Sequence, residues 1–210
     1  MSEQEAAKTV LTFLNLLKMN YKHFPRDFDE ATLDSMISAQ ESLVEPIKEK
    51  SMTAWPRDTT AEKNSFYGDF NAKGWQETNL VHMMAPFDMY YEKQLLRHGI
   101  LVHKKIVPAL TAAFAEIWER CGHVQSQVDK TGASDFDGCF NIRRIAGSNN
   151  WSNHSWAIAI DLSPSTNGFN TGHGSIGTIV IDAFKRQGAR WGGDYHGRTD
   201  PMHFEFVSPA

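Results

Sequence analysis

Residues 152–161 read Ser-Asn-His-Ser-Trp-Ala-Ile-Ala-Ile-Asp, an apolar stretch that begins beside His154 and ends at Asp161. Successive side chains of a strand point to opposite faces. The alternation therefore predicts a strand whose tryptophan and isoleucines point into a core. Asp161 shares the other face with two alanines, so a bulky group can approach its carboxylate. His154 lies just before the strand, in a Ser/Asn turn from which its ring can reach the same face.

The C-terminal stretch at residues 202–207, Met-His-Phe-Glu-Phe-Val, alternates in the same way. Its methionine and phenylalanines share one face, whereas His203 and Glu205 share the other. Burying this polar pair without partners would be costly. Asp200 lies three residues before His203, at the turn that enters the strand. Two separated segments thus each present ionisable groups opposite an apolar face.

Two histidines and one aspartate suit a catalytic zinc, which takes three protein ligands and leaves a fourth position to water. His154, Asp161 and His203 are the predicted ligands. The metal lowers the pKa of that water and a nearby carboxylate takes its proton, for which Asp200 is placed. Glu205 could hydrogen-bond a ligating imidazole. A histidine that caps a turn beside a strand aspartate would give the same pattern, so the residues alone leave both interpretations open.

The composition excludes several classes of protein. The chain has 210 residues, 41% of them apolar, and a formal charge of −4. It has no dense run of Lys and Arg, so nucleic acid is not an expected partner. No apolar stretch reaches the length of a membrane span. The first ten residues, MSEQEAAKTV, are acidic where a secretion signal would be basic, so we expect the protein to be made in the cytoplasm. We also expect it to be a monomer.

The two cysteines do not indicate a disulfide framework. Cys121 and Cys139 lack the CxxC spacing of a metal or redox motif. Two thiols in a reducing compartment are the expectation, in preference to a bridge.

Apolar periodicity predicts two helices in the N-terminal part, over residues 5–18 and from Asp29 to about Val44. The turn-rich run at residues 55–75 then breaks the periodicity. We place a boundary near residue 60. Residues 1–60 form a helical region of unknown role.

Residues 61–210 form the domain that carries the polar segments. Helices are expected over residues 104–121, with Pro108 in the first turn or at a kink, and over residues 175–187. Helices early and strands late predict an α+β fold. Its small antiparallel sheet holds the metal site, helices flank the sheet, and a helical extension precedes it.

Residues 77–207 resemble the VanY-like zinc peptidases, which include D-alanyl-D-alanine carboxypeptidases and phage L-alanyl-D-glutamate endolysins. The family signature is Ser-x-His-x-x-Gly-x-Ala-x-Asp, followed later by an acidic residue, two spacers and a histidine. This chain has SNHSWAIAID and then DPMH, and the blocks FNIRRIAGSNNWSNH and GARWGGDY are also similar. One departure is Ala157, which stands where the family has glycine and would narrow the metal-side cleft without removing a ligand.

The resemblance implies that the three ligands named above hold Zn²⁺ and that Asp200 is the general base. It assigns Arg143, in preference to Arg144, to stabilise the oxyanion or a substrate carboxylate. Ser152 and Glu205 are expected to support the ligands.

Other ionisable residues near the motifs receive no catalytic role. Asp194, in WGGDY, is expected to stabilise a turn in preference to acting as the base. His173 and His196 lie in Gly-rich loops and are expected to be exposed. The remaining histidines are expected on the surface or in the core: His23, His82, His98, His103 and His123.

The implied function is zinc-dependent hydrolysis of peptidoglycan stem peptides by a phage endolysin that cuts the L-Ala–D-Glu bond. Such an enzyme would reach the wall after a holin opens the membrane. The alternative activity is that of a D-Ala-D-Ala carboxypeptidase. An alternative from another functional class is a zinc-containing module that binds a partner without hydrolysing it. A purely structural metal site with four protein ligands is the weakest of the alternatives.

Overall fold

The computed structural model describes residues 55–210. Its helices are α1 (Thr60–Tyr67), α2 (Trp75–Asn79), α3 (Val107–Arg120), α4 (Gln125–Thr131), α5 (Pro164–Asn167) and α6 (Thr178–Arg186). Its strands are β1 (Leu80–Met83), β2 (Tyr90–Tyr91), β3 (Gln94–Leu95), β4 (Ile100–His103), β5 (Phe136–Gly138), β6 (Ala159–Leu162), β7 (Arg190–Trp191) and β8 (His203–Glu205). Short 3-10 turns lie at Lys104–Ile106, Asn153–Trp156 and Gly192–Asp194.

A four-stranded antiparallel sheet in the order β5-β6-β8-β7 carries both polar segments. β6 and β8 pair so that Asp161 lies opposite His203 and Ala159 lies opposite Glu205. Directly paired residues share a face of the sheet. The register therefore places the aspartate and histidine side chains side by side, although 42 residues separate them in sequence.

Helices α3 and α6 pack on each other and cover the apolar face of this sheet. Phe184 of α6 contacts Phe114 of α3 edge-on, with ring centres 5.8 Å apart, and lies 4.5 Å from the ring of Phe204 in β8. All three rings are fully buried. Burying side chains of this size supplies the main stabilisation of such a core. The opposite face of β6 and β8 is left for the polar side chains.

The fold class and the two long helices agree with the sequence prediction of an α+β protein. Pro108 lies in the first turn of α3, so of its two predicted positions the kink is excluded. Proline is tolerated there because its missing N–H would have no helical partner. Two further antiparallel pairs, β1–β4 and β2–β3, complete the strands.

Two predicted elements differ from the structure, besides the C-terminal strand, which spans only His203–Glu205 of the predicted residues 202–207. The run at residues 55–75 was expected to be turns but contains α1, whose start is capped by the Thr59 hydroxyl accepting from the Glu62 N–H at 3.3 Å. The strand predicted over residues 156–161 is shorter in the structure, where β6 begins only at Ala159. Ala157 adopts a left-handed conformation with φ of 53°, which ends the 3-10 turn and interrupts the extended backbone.

Residues at the two ends of the described chain pair with each other. The Asp58 N–H donates to the Ser208 carbonyl at 3.0 Å, and the Ser208 N–H donates to the Pro56 carbonyl at 2.9 Å. Trp55 packs edge-on against Phe206 with ring centres 5.2 Å apart. The two helices predicted before residue 45 lie outside the described residues. Within residues 55–210, no helix is both long and apolar enough to cross a membrane.

Candidate metal centre

Three buried side chains converge between β6, β8 and the turn that precedes β6. His154 comes from the 3-10 turn, Asp161 from β6 and His203 from β8. His154 Nε2 lies 3.1 Å from Asp161 Oδ2 and 3.2 Å from His203 Nδ1. His203 Nδ1 lies 2.8 Å from Asp161 Oδ1. The structure thus brings together the three residues that the sequence analysis nominated as ligands.

The second nitrogen of each imidazole fixes which atom faces the cluster. His154 Nδ1 lies 2.9 Å from the Cys139 carbonyl, which can only accept, so this nitrogen is the donor. His203 Nε2 lies 3.2 Å from Glu205 Oε2 and donates to that carboxylate. In the neutral tautomers, His154 Nε2 and His203 Nδ1 therefore present lone pairs towards each other and towards Asp161. Three acceptors at this separation repel one another unless a cation or proton lies among them.

The spacing of these atoms fits a small metal ion. Tetrahedral zinc with bonds of about 2.0–2.1 Å places neighbouring ligand atoms about 3.3 Å apart. The separations of 2.8, 3.1 and 3.2 Å lie close to that value. Two imidazoles and one carboxylate are also the donor types of catalytic zinc sites. The cluster therefore has the chemistry and the spacing of a three-ligand metal site.

The ionisable groups of the cluster strongly shift one another's pKa values. Burial acts to raise the pKa of Asp161, but hydrogen bonds from His154 and His203 outweigh it and hold the pKa well below its usual range. Burial acts to lower the pKa of His203, yet Asp161 and Glu205 raise it well above its ordinary value. A proton on His203 thus relieves the repulsion among the acceptors. Metal binding here would displace that proton.

Glu205 holds His203 from the side opposite the cluster, and four groups donate to its carboxylate. Oε2 accepts from His203 Nε2 and from Asn153 Nδ2 at 2.6 Å. Oε1 accepts from the Tyr195 hydroxyl at 2.6 Å and from Arg190 at 3.1 Å. Burial acts to raise the pKa of Glu205, but these partners, led by His203, lower it to about 2. Glu205 therefore remains an ionised acceptor that sets the His203 tautomer.

Asp200 carries an oxygen without a protein partner. Its Oδ1 is buried and, among residues 55–210, is the one buried side-chain nitrogen or oxygen atom that makes no hydrogen bond. Burial raises the pKa of Asp200, opposed by the positive charge of His203. The Asp200 N–H donates to the Gly192 carbonyl at 2.9 Å, and a Cβ at Gly192 would lie 2.3 Å from the Asp200 carbonyl oxygen. Gly192 is thus required for the close backbone approach that positions Asp200.

Arg143 lines a cleft of about 490 Å³ together with His154 and Asp161. Its backbone is fixed from both sides, because the Ser155 hydroxyl accepts from the Arg143 N–H at 3.2 Å and donates to its carbonyl at 3.1 Å. The Ser152 N–H donates to the same carbonyl at 3.0 Å. The sequence analysis named Ser152 but missed Ser155, since a serine between His154 and Trp156 carries no distinguishing pattern.

Arg144 is engaged elsewhere. Its guanidinium stacks 3.6 Å from the centre of the Trp151 ring and donates to the Asn149 carbonyl. Of the two arginines, Arg143 therefore lines the cleft, whereas the Arg144 guanidinium lies against Trp151.

The remaining candidates lie apart from the cluster or at its margin. Asp194 is exposed and pairs with Lys185 at 2.5 Å, and His173 and His196 are exposed. His103 is buried in the core, whereas His82 is exposed and lines the cleft. Ala157 is fully buried and lies outside the cleft lining, so the expectation that its methyl narrows the cleft is wrong. Its left-handed backbone explains why glycine suits this position.

Comparison with known proteins supports a peptidase. A family model described as D-alanyl-D-alanine carboxypeptidase matches residues 146–206. The matched segment contains the three clustered side chains, Asp200 and Glu205, and begins three residues after Arg143. No curated protein and no solved structure gave a match. The part of the chain that carries the cluster is thus similar to a family of D-alanyl-D-alanine carboxypeptidases.

Proposed function

We propose that this protein is a zinc-dependent peptidase that hydrolyses the stem peptides of bacterial peptidoglycan. The observation that carries the proposal is the convergence of three buried metal-ligating atoms inside the segment that matches the peptidase family. His154, Asp161 and His203 would hold the ion. When bound, zinc supplies a Lewis acid and lowers the pKa of a coordinated water towards neutrality.

Asp200 is the proposed general base. Its unpartnered Oδ1 can accept a proton from water, and the rise in its pKa brings the carboxyl closer to the operating pH, where general bases work best. Arg143, exposed at the cleft, is proposed to bind the oxyanion or a carboxylate of the substrate through its planar fork of donors. The presence of both residues favours hydrolysis over a module that only binds.

The finer proposal is a phage endolysin that cuts the L-Ala–D-Glu bond as a monomer, without nucleic-acid partners or membrane insertion. It is supported by the similarity of the sequence blocks around both motifs to those of phage enzymes. Synthesis in the cytoplasm and holin-dependent release to the wall belong to the same proposal. The second candidate, a D-Ala-D-Ala carboxypeptidase, is favoured by the description of the matching family.

Digestion of purified sacculi by the zinc-loaded protein tests both activities, with mass spectrometry of the released peptides. New N-terminal D-Glu is expected for the endopeptidase, together with falling turbidity. Release of D-Ala alone, at constant turbidity, would identify the carboxypeptidase. The Asp200→Asn protein is the control for contaminating hydrolases. If the zinc-loaded wild type releases neither product, the proposed peptidase function is wrong.

A further inference from the structure

Lys63 is a lysine whose charged end lies inside the protein, beside the turn that carries His154. Its side chain is only 4% exposed. Nζ donates to Asp58 Oδ1 at 2.8 Å and to Asn153 Oδ1 at 2.6 Å, and it lies 4.4 Å from the centre of the Trp156 ring. An ammonium is costly to bury even when it is paired. The position of Lys63 therefore calls for a role beyond packing.

The stability of helix α1 does not supply that role. Lys63 is the fourth residue of α1, near the end where the helix dipole favours negative charge. A cation there opposes the dipole. What Lys63 gains at this position is its tertiary contacts with Asp58 and Asn153.

Lys63 determines the orientation of the Asn153 amide. The ammonium is only a donor, so the atom that faces it is the amide oxygen. The amide nitrogen then points to Glu205 Oε2, which is only an acceptor when ionised. A flipped amide would place NH₂ against the ammonium and oxygen against the carboxylate. The Lys63 charge therefore keeps Asn153 as a donor to Glu205.

Glu205 Oε2 is also the atom that accepts from His203 Nε2. A continuous chain of hydrogen bonds therefore runs from Lys63 through Asn153 and Glu205 to a clustered imidazole. Arg190 closes a ring, since it contacts Glu205 Oε1 at 3.1 Å and Asp58 Oδ2 at 3.6 Å. Each carboxylate of the ring thus lies between two fixed donors, which restricts the movement of Glu205.

We propose that Lys63 is a positioning residue for the metal centre, holding His203 with Nδ1 towards the ion by way of Asn153 and Glu205. The inference rests on the proposed function, because it requires that the cluster binds zinc. It adds a residue from outside the matched segment of residues 146–206. Outer partners of metal ligands typically contribute about 10- to 100-fold to metal affinity.

The test is the zinc dissociation constant, measured by competition with a chromophoric chelator. Lys63→Met keeps an unbranched stem beside Trp156 and removes the charge, and it is expected to weaken zinc binding about tenfold. In an Asn153→Ala background, Lys63→Met should weaken zinc binding far less than in the wild type, because the connecting amide is gone and only the longer path through Asp58 and Arg190 remains. The visible spectrum of the cobalt-substituted Lys63→Met protein should also change, since the ligand geometry changes.

Lys105→Met is the matched control. Like Lys63, Lys105 donates through Nζ to an oxygen and lies near an aromatic ring: it donates to the Phe66 carbonyl at 2.5 Å and lies 4.3 Å from the centre of the Phe66 ring. Unlike Lys63, it is exposed and has no contact with Glu205. Its removal should leave the zinc dissociation constant unchanged. If Lys63→Met does not fold, Asn153→Ala, which keeps the Lys63–Asp58 pair, must itself weaken zinc binding.

The outcomes separate the two proposals. A wild type that binds zinc tightly, with unchanged affinity in folded Lys63→Met or in Asn153→Ala, overturns the positioning role and leaves the peptidase proposal standing. A lower free energy of unfolding in Lys63→Met without a change in zinc affinity would mean a purely structural lysine. A wild type that does not bind zinc overturns both.

Discussion

Asp200 and Asp194 are the two acidic residues between which the general base must be chosen, and their surroundings differ. Asp200 offers a buried oxygen without a protein partner, and burial raises its pKa. Asp194 is exposed and forms an ion pair with Lys185. A general base needs an oxygen that is free to accept a proton, so we propose Asp200 in preference to Asp194.

Asp200→Asn should lower kcat by about a hundredfold or more, the usual contribution of a general base, because the amide cannot accept the proton. The zinc content should stay that of the wild type, since Asp200 is not one of the three clustered ligands. Peptide release from sacculi and metal analysis of the same sample measure both quantities. Asp194→Asn is the matched control and should retain activity; loss of turnover in that variant, but not in Asp200→Asn, would reverse the assignment.

Short elements determine how the site is built, and here the sequence was only partly informative. The period-two alternation in β6 and β8 predicted correctly which residues face the cluster, because one face of the sheet is buried and a slip of one residue would reverse it. The sequence predicted a turn at His154, but not that this turn is a 3-10 turn extending to Trp156. Its end depends on Ala157 in the left-handed region, a conformation that alanine, unlike glycine, does not signal.

Of the network behind His203, Glu205 was predicted, whereas Lys63 and Asn153 were missed for a related reason. A lysine in a polar stretch is normally exposed, and the pattern around Lys63 gives no sign of burial. Its contacts come from Asn153, 90 residues further along the chain. Such tertiary partners cannot be obtained from local periodicity. Helix α1 was missed because its eight residues, in a turn-rich run, are too few to show a clear helical periodicity.

His103, at the end of β4, makes the stability of the fold depend on pH. Its Nδ1 accepts from the Lys105 N–H at 3.1 Å and its Nε2 donates to the Tyr67 carbonyl at 2.9 Å, which requires the neutral ring. Burial, with the charges of Lys105 and Lys104, lowers its pKa from 6.5 to about 4. The unfolded chain therefore binds this proton first. The associated stability is fully present above pH 6.5 and is lost as the pH falls towards 4.

Urea unfolding of wild type and His103→Gln at pH 7 and pH 4.5 measures this contribution. The wild type should lose about 1–2 kcal/mol more than the variant over this interval, less than the full pKa shift corresponds to, because pH 4.5 still lies above the folded-state pKa of about 4. The variant is less stable at pH 7, but the difference between the two proteins should narrow in acid. An equal loss in both proteins would show that His103 is not the titrating group.

At the scale of the molecule, one antiparallel sheet joins segments that are distant in sequence into a single metal-ligating cluster. Helices α3 and α6 bury the apolar face, and the opposite face of β6 and β8 holds the ionisable groups. The α+β class could be predicted because long amphipathic helices and alternating strands have distinct periods. The pairing of β6 with β8 could not, since several strand orders satisfy the same alternation.

Zinc binding to the purified protein tests the central claim most directly, with the metal content per chain measured by mass spectrometry after dialysis. The wild type should retain about one zinc per chain, held by two imidazoles and one carboxylate. His154→Ala and His203→Ala should each lose most of it, whereas His173→Ala, an exposed histidine outside the cluster, should retain it. A wild type without zinc, or full occupancy in both cluster variants, would contradict the assignment of this site.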